Sequence, residues 1–249
     1  MKRYLDSAAQ QLLQKHQLDS FDKLWNLSLE AVDQPNTERG GYSTVSRLEL
    51  DGQAFYLKRQ RNHLTRSLCH PLGEPTFARE MRNILHYKKL GIPALEAAFF
   101  AQRQHNGEHQ AILLTYALDG WQDLSYWLNQ WSELTSQQQT EIIVACATLA
   151  KTLHQAKQVH GCFYPKHIFL QAANQGFTAK LIDLEKTRYL WLGVKDRVKD
   201  LDPLFRRSSY AWGEAEMRIF LQHYLTKPYN LEQWMLRLAE RRVDKDSRP

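Results

Sequence analysis

Apolar positions change their spacing near the middle of the chain. Tyr42 to Leu50 alternates towards its end, through Val45, Leu48 and Leu50, and Asp51-Gly52 is a hairpin turn signal. Ala54 to Lys58 reads as the return strand. Pro75 to Leu90 then switches to helical spacing, with Phe77, Met81, Ile84 and Leu85 on one face and Lys88-Lys89 in the last turn. Gly91 ends that helix and Pro93 prevents its resumption. Two apolar runs, Ala94 to Gln102 and Ala111 to Leu118, flank polar His105-Asn106-Gly107-Glu108 and predict an antiparallel pair. After Asp119-Gly120 the pattern is helical. Thr135 with Gln138 forms a capping-box signal that opens a long helix through Ile142, Ala145, Leu149 and Leu153. Two short strands interrupt the helical half, at Ile168-Phe169-Leu170 and Leu181-Ile182. The first 35 residues predict a short helical segment and a connector ending at Pro35.

These elements predict an α+β chain with a sheet-bearing half, residues 1–118, and a mainly helical half, residues 119–249. Repeats and low-complexity tracts are absent. Hydrophobic content of 43% and charged content of 24% indicate a globular chain, and 249 residues suffice for a sizeable core. The net charge of +6 favours anionic partners: nucleotide, phosphorylated glycan, acidic membrane surface or nucleic acid. The basic residues are dispersed and no nucleic-acid motif accompanies them, so nucleic acid is not expected as a partner. Cys69, Cys146 and Cys162 are too few and too scattered for a disulfide framework or a zinc site, and predict a reducing compartment. Leu5-Asp6-Ser7 carries charge where a secretory leader needs an apolar run, and no apolar stretch reaches about 18 residues, so neither a leader nor a membrane span is expected.

Four places carry candidate chemistry. Arg39-Gly40-Gly41-Tyr42-Ser43 precedes the first hairpin strand; glycines there let backbone amides approach phosphates, and the same residues also suit an ordinary turn. Lys58 lies in an otherwise apolar strand, and Glu80 follows 22 residues later on the predicted helix. An ion pair between the two would hold the ammonium on nucleotide phosphates. Unpaired, each would be a solvated surface charge. Asp183 ends the apolar Leu181-Ile182 strand, a position suited to Mg²⁺ and equally to a turn or helix cap; Glu185 offers a second carboxylate. His160-Gly161-Cys162 through His167 reads as a catalytic loop, with His160 as a structural residue bonding backbone near Asp183 and His154 as an ordinary helix residue. The order and spacing of these places, sheet motifs first and loop motifs second, match a two-lobed protein-kinase-like fold.

In Tyr56-Leu57-Lys58-Arg59, His70 to Glu80, Leu90-Gly91-Ile92-Pro93-Ala94, His160 to His167, Ile182 to Glu185 and Lys199 to Leu204, the chain resembles the bacterial lipopolysaccharide-core kinases of the Kdo/heptose type. It is most similar to their InaA-like branch, over roughly Gly40 to Leu225. The resemblance implies ATP- and Mg²⁺-dependent phosphorylation of a sugar hydroxyl on the lipopolysaccharide inner core. The place implied is cytoplasmic, at the inner face of the membrane. By position it gives Lys58 the α/β-phosphates, Glu80 the support of Lys58, and Asp183 the metal. Tyr116-Ala117-Leu118 becomes a hinge facing adenine, and Asp200 a supporting residue in a later helix. Cys162 and His167 stand at the positions of the kinase catalytic Asp and metal-binding Asn. The family's usual loop has Asp where this chain has Cys162, a thiol that is mostly neutral at pH 7 and a poor proton acceptor. An imidazole at position 167 is a soft partner for Mg²⁺, so one metal ion is expected rather than two. Lys58, Arg59, Arg61, Arg66, Arg79 and Arg206-Arg207 are candidates for glycolipid phosphates or simply solvated charges. The basic helix around Leu231 to Arg242 suits a membrane surface or, better, packing on the core. Two functions remain open from the sequence: a phosphotransferase, or a nucleotide-binding regulatory protein that lost turnover at Cys162.

Overall fold

The computed structural model describes residues 2–32, 34–37, 40–67, 70–226 and 230–246; Met1, Arg39 and Cys69 lie outside them. The fold is α+β, as the apolar pattern predicts, and divides into two compact units. One comprises residues 1–88 and 95–119, the other residues 89–94 and 120–249.

The first unit runs β1 (Arg3–Leu5), α1 (Ser7–Lys15), α2 (Phe21–Trp25), β2 (Tyr42–Leu50), β3 (Gln53–Arg61), β4 (Leu64–Ser67), β5 (His70–Pro75), α3 (Thr76–Leu90), β6 (Ala97–His105) and β7 (Glu108–Tyr116). Five of its strands form an antiparallel sheet in the order β1-β6-β7-β3-β2. The β2–β3 turn has positive φ at both Asp51 (48°) and Gly52 (81°), the conformation that matches strand twist in a two-residue hairpin. Ala31 and Asn36 bridge antiparallel to Ser46 and Ser43 of β2, the Val32 N–H donates to Val45, and Gly40-Gly41 lies between Asn36 and Ser43 in the chain.

The amino-terminal segment departs from the sequence expectation. It is not only a short helical stretch and connector: Arg3–Leu5 pairs with β6 as an edge strand, and two helices follow. Asp6 caps the first of these by accepting from the Ala8 N–H at 3.2 Å. Three residues are too short to show a period of two; pairing with Phe99 to Ala101 makes them a strand. Leu13 and Leu24 from α1 and α2 pack with Phe55, Leu57, Phe99 and Leu114, so the segment covers one face of the sheet. Side chains alternate along β3. Phe55 and Leu57 belong to that covered face, while Lys58 and Gln60 reach α3.

The second unit contains β8 (Gln122–Asp123), α4 (Leu124–Asn129), α5 (Ser136–Gln155), β9 (Gln158–Val159), β10 (Ile168–Ala172), β11 (Phe177–Leu181), β12 (Arg188–Tyr189), α6 (Val194–Ser208), α7 (Glu214–Tyr224) and α8 (Leu231–Asp246). The capping box at Thr135 and Gln138 is present, and α5 buries Ile142, Cys146, Leu149 and Leu153. More strand occurs here than the two segments expected. Two-residue β8 joins the β10–β11 hairpin, and β9 pairs with β12. Helix α8 packs on the core through buried Trp234 and Leu238, with Trp234 against Tyr224. Among the described residues no helix is long and apolar enough to cross a membrane.

Candidate functional site

In the first unit, Lys58 Nζ lies 2.6 Å from Glu80 Oε1. The carboxylate is buried, at 3% side-chain exposure, and the lysine is mostly covered. A charge pair this far from water needs a fixed approach of strand to helix. Gln60 supplies it. Its Oε1 accepts from Thr76 Oγ1 (2.9 Å) and from the Phe77 N–H (2.8 Å), and its Nε2 donates to the His63 carbonyl (2.6 Å). The amide therefore ties the start of α3 to β3 and satisfies a helix N-terminal donor. Gln60 carried no signal in the sequence beyond lying two residues after Lys58.

The glycines before β2 have distinct reasons. Gly40 has φ of 68° in open space. A Cβ on Gly41 would stand 2.3 Å from the His63 nitrogen, so only glycine lets the backbone pass there. Ser43 pairs its backbone with Asn36 and sits opposite Gln60. At the candidate hinge, the Tyr116 N–H donates to Glu96 and the Ala117 N–H to Ala54. Neither donor is available to a ligand, and only Leu118 of the three keeps its N–H outside the described bonds. The Tyr116 hydroxyl donates to Asp6 Oδ2 at 2.9 Å; burial, then this carboxylate, pushes the phenol far above its ordinary value. Arg59 is bonded within the unit. It donates to the Trp25 and Leu27 carbonyls and fastens the α2 connection to β3.

In the second unit, His160 begins a tightly bonded loop. Its Nε2–H donates to the Ile182 carbonyl at 2.9 Å, because a carbonyl can only accept. Its Nδ1 then accepts from the Cys162 N–H at 3.3 Å. These bonds tie the His160 ring to the backbone next to Asp183. Gly161 has φ of 79°, and a Cβ there would meet the Lys186 carbonyl at 2.7 Å. Pro165 opens a 3₁₀ turn, Pro165–His167, that leads into β10.

Asp200 on α6 anchors the loop. Its Oδ1 accepts from the Gly161 N–H at 2.7 Å; its Oδ2 accepts from the His160 N–H at 2.8 Å and from His154 Nε2 at 3.1 Å. Burial alone would raise this carboxyl, but hydrogen bonds and charge from His154 and His160 outweigh it and hold the group below its usual value. His154 is thus not an ordinary helix residue: it is buried, bonded on one nitrogen to Asp200 and on the other to Tyr224 OH at 2.8 Å. Its partners lie 46 and 70 residues away, so no local pattern marks it.

Cys162 is buried, and burial pushes its thiol up; the nearby Lys186 cation opposes that shift and Asp183 adds to it. The group is a protonated thiol at neutral pH. Lys186, which the sequence did not single out, lies beside the Cys162 thiol, and that neighbour raises the pKa of its ammonium.

Asp183 adopts the left-handed conformation (φ 58°, ψ 64°), which Asp tolerates better than most residues. Its side chain caps nothing and is 37% exposed. His167 Nδ1–H donates to the Cys162 carbonyl at 2.9 Å, so the neutral ring turns the lone pair of Nε2 towards Asp183 Oδ2, 3.4 Å away. Burial lowers the His167 pKa and so favours that neutral form, against the pull of Asp183. Two acceptors facing each other at this distance suit a cation between or beside them. One carboxylate and one imidazole make a partial shell, which fits Mg²⁺ only when phosphate and water complete the coordination. Among the described residues no group of three or more His, Cys, Asp or Glu side chains gathers as a metal cage.

The structure thus joins Lys58 with Glu80 in one unit, and His160, Cys162, His167 and Asp183 in the other. The family model "Lipopolysaccharide kinase (Kdo/WaaP) family" matches residues 22–224. "Protein InaA" of Escherichia coli (strain K12) is 30% identical over 172 residues, 68% of this chain and 79% of that protein. The solved structure of "WaaP in complex with acyl carrier protein" matches with a TM-score of 0.73 at 20% identity, over 100% of both chains, a likeness of fold. With a family model spanning most of its length and a relative of this identity, the chain belongs to the lipopolysaccharide kinase (Kdo/WaaP) family.

Proposed function

We propose that this protein is an ATP- and Mg²⁺-dependent phosphotransferase that phosphorylates a heptose or Kdo hydroxyl of the lipopolysaccharide inner core. The observation that carries this proposal is the buried Lys58–Glu80 ion pair. An ammonium held rigidly by a buried carboxylate is the arrangement that grips the α/β-phosphates in kinase-like folds. In this proposal the Gly40-Gly41 turn before Ser43 approaches the phosphates, and Leu118, whose N–H lies outside the described bonds, faces the adenine. Asp183 with His167 is the donor set for the metal, which when bound neutralises charge on the transferring phosphoryl group. Retention of both charge sets in a chain of this family favours nucleotide use.

Thermal unfolding with ATP tests the proposal. Millimolar ATP with Mg²⁺ raises the melting temperature by linkage, and Asp183→Asn removes the Mg²⁺-dependent part. A melting temperature indifferent to ATP·Mg²⁺ in the intact chain rejects the nucleotide site.

A second function has an observation of its own in Cys162. A buried neutral thiol does not take the acceptor proton, so the protein can bind nucleotide as a regulatory module with little turnover. The loose transition state of phosphoryl transfer makes the base a modest contributor, which keeps catalysis first. Cys162→Asp is expected to raise transfer to a core-sugar acceptor about tenfold, since general bases contribute at least that much where they act. A fall in rate assigns the thiol a role of its own.

A lipid-borne acceptor implies contact with the inner membrane face. What supports it is an apolar edge: Trp191 and Leu192 are 77% and 61% exposed, next to Lys195. Flotation with anionic vesicles is expected to weaken in Trp191→Ser, and equal flotation of the variant places any lipid contact elsewhere.

A further inference from the structure

A cavity of about 280 Å³ in the second unit has four cations and two carboxylates in its lining. Lys186, Arg188, Lys199 and Arg241 surround it, and Gly161 and Tyr164 of the His160 loop form part of its wall. Arg207 stacks 4.1 Å above the ring of Tyr164. The volume lies just below the range of drug-sized ligand pockets of about 300–1,000 Å³, too small for a nucleotide and suited to a single small group.

Two carboxylates share the lining, and both are already bonded, Asp196 to the lining cation Arg188. Asp196 receives Arg188 at 2.8 and 3.2 Å and the N–H groups of Trp191 and Leu192 at 2.9 and 2.8 Å. Asp200 accepts from Gly161, His160 and His154, as described above. Both acids are buried and turned into the protein. Arg188 is committed to Asp196, and the other cations are less engaged. Lys199 is exposed and forms no ion pair with a described residue. Arg241 meets Asp202 only at 3.8 Å, and its Nε is buried without a hydrogen-bond partner. Lys186 lies against a neutral thiol. The outcome is a concave site whose lining carries four cations and two acids, both acids already hydrogen-bonded.

We propose that this cavity binds a phosphomonoester already carried by the acceptor sugar, with Lys199 and Arg241 as its principal ligands. The proposal deepens the phosphotransferase function above, and rests on it for the sugar that bears the phosphate. Ammonium and guanidinium groups make charge-assisted bonds to phosphate oxygens, stronger than those to a neutral hydroxyl. Since Gly161 and Tyr164 wall the cavity, a phosphate held here anchors its sugar beside the His160 loop. The enzyme then selects a core that an earlier phosphorylating reaction has modified.

The test is titration of the full chain with inorganic phosphate, glucose 6-phosphate and glucose, at constant ionic strength, followed by heat-flow binding and thermal unfolding. Both phosphates bind and stabilise, and glucose does not. In a Lys199→Gln, Arg241→Gln double variant the dissociation constant for both phosphates rises about tenfold, the scale of losing charge-assisted contacts. Lys199→Gln alone, at an exposed position, gives a smaller loss in a chain that folds normally. A variant lacking the Lys58 ammonium keeps phosphate binding, and the double variant keeps its stabilisation by ATP·Mg²⁺. Phosphate binding that survives the double substitution, or glucose that binds as well as glucose 6-phosphate, overturns the assignment. If ATP·Mg²⁺ fails to stabilise the intact chain while phosphate binding depends on Lys199 and Arg241, the cavity stands and the nucleotide function falls.

Discussion

Replacing Lys58 by Met should lower the stability of the protein by about 3 kcal/mol and remove its response to ATP·Mg²⁺. The first effect comes from Glu80. Its carboxylate is 3% exposed and has the ammonium 2.6 Å away; with Met in that place a buried negative charge loses its counter-ion. Breaking one side of a buried pair costs about 3–5 kcal/mol, whereas replacing both partners by neutral groups is often close to neutral. A second substitution, Glu80→Gln, should therefore recover most of the loss. For a chain of this size each kcal/mol moves the melting temperature by about 2–4 °C, so the single variant melts about 6–12 °C lower and the pair returns near the wild type. The second effect does not recover, because the phosphate-binding cation is missing in both. This separation distinguishes a structural ion pair from a functional one. A double variant that regains both stability and the full nucleotide shift would remove Lys58 from the phosphate site.

The parts of the fold that the sequence makes legible are those settled within a few residues. Asp51-Gly52 predicts the β2–β3 hairpin because both positions need positive φ, and both have it. Thr135 and Gln138 predict the start of α5 because the capping box closes over four residues. Lys58 and Glu80 were legible as a pair because one lies on a strand, the other on the next long helix, and β3 and α3 are consecutive major elements. What stayed hidden depends on distant partners. Arg3–Leu5 is a strand only because β6, nearly a hundred residues later, offers an edge. The two-residue strands β9 and β12 exist through each other. His154 looks like any polar helix residue until Asp200 and Tyr224 are brought to it. Arg59 reads as a surface cation for phosphate, yet the Trp25 and Leu27 carbonyls occupy it, and only the folding of α2 onto the sheet brings them there. Lys186 gains meaning from contact with a cysteine 24 positions earlier. The Lys58–Glu80 pairing was thus readable, while the supports around it were tertiary.

Removing Asp200 should be the most damaging single change in the second unit. Asp200→Ala leaves three donors, from His160, Gly161 and His154, in a place where Asp200 is 4% exposed and solvent cannot readily replace it. Buried donors left unsatisfied cost about 1–3 kcal/mol each at most, and partial relaxation of the loop limits the total to about 3–5 kcal/mol. The loop that carries Cys162 and His167 is fastened to α6 through these bonds, so the nucleotide response should weaken together with stability. Acid adds a second signature. The folded carboxyl sits below its usual value, so its contribution is complete above the unfolded value of about 3.9 and disappears as pH falls through the folded one. Urea unfolding at pH 7 should show the full difference between wild type and Asp200→Ala. The same comparison at successively lower pH, below about 4, should show it shrinking as the wild-type carboxyl takes up its proton. Asp200→Asn is the sharper probe of the bonds themselves. It keeps the shape, but its amide presents a donor to a site that already holds three, so it should lose about half as much as Ala and show no acid dependence from this position. A loss below about 1 kcal/mol in Asp200→Ala, or a gap from wild type that persists unchanged in acid, would mean the His160 loop is held by its own turns and not by α6.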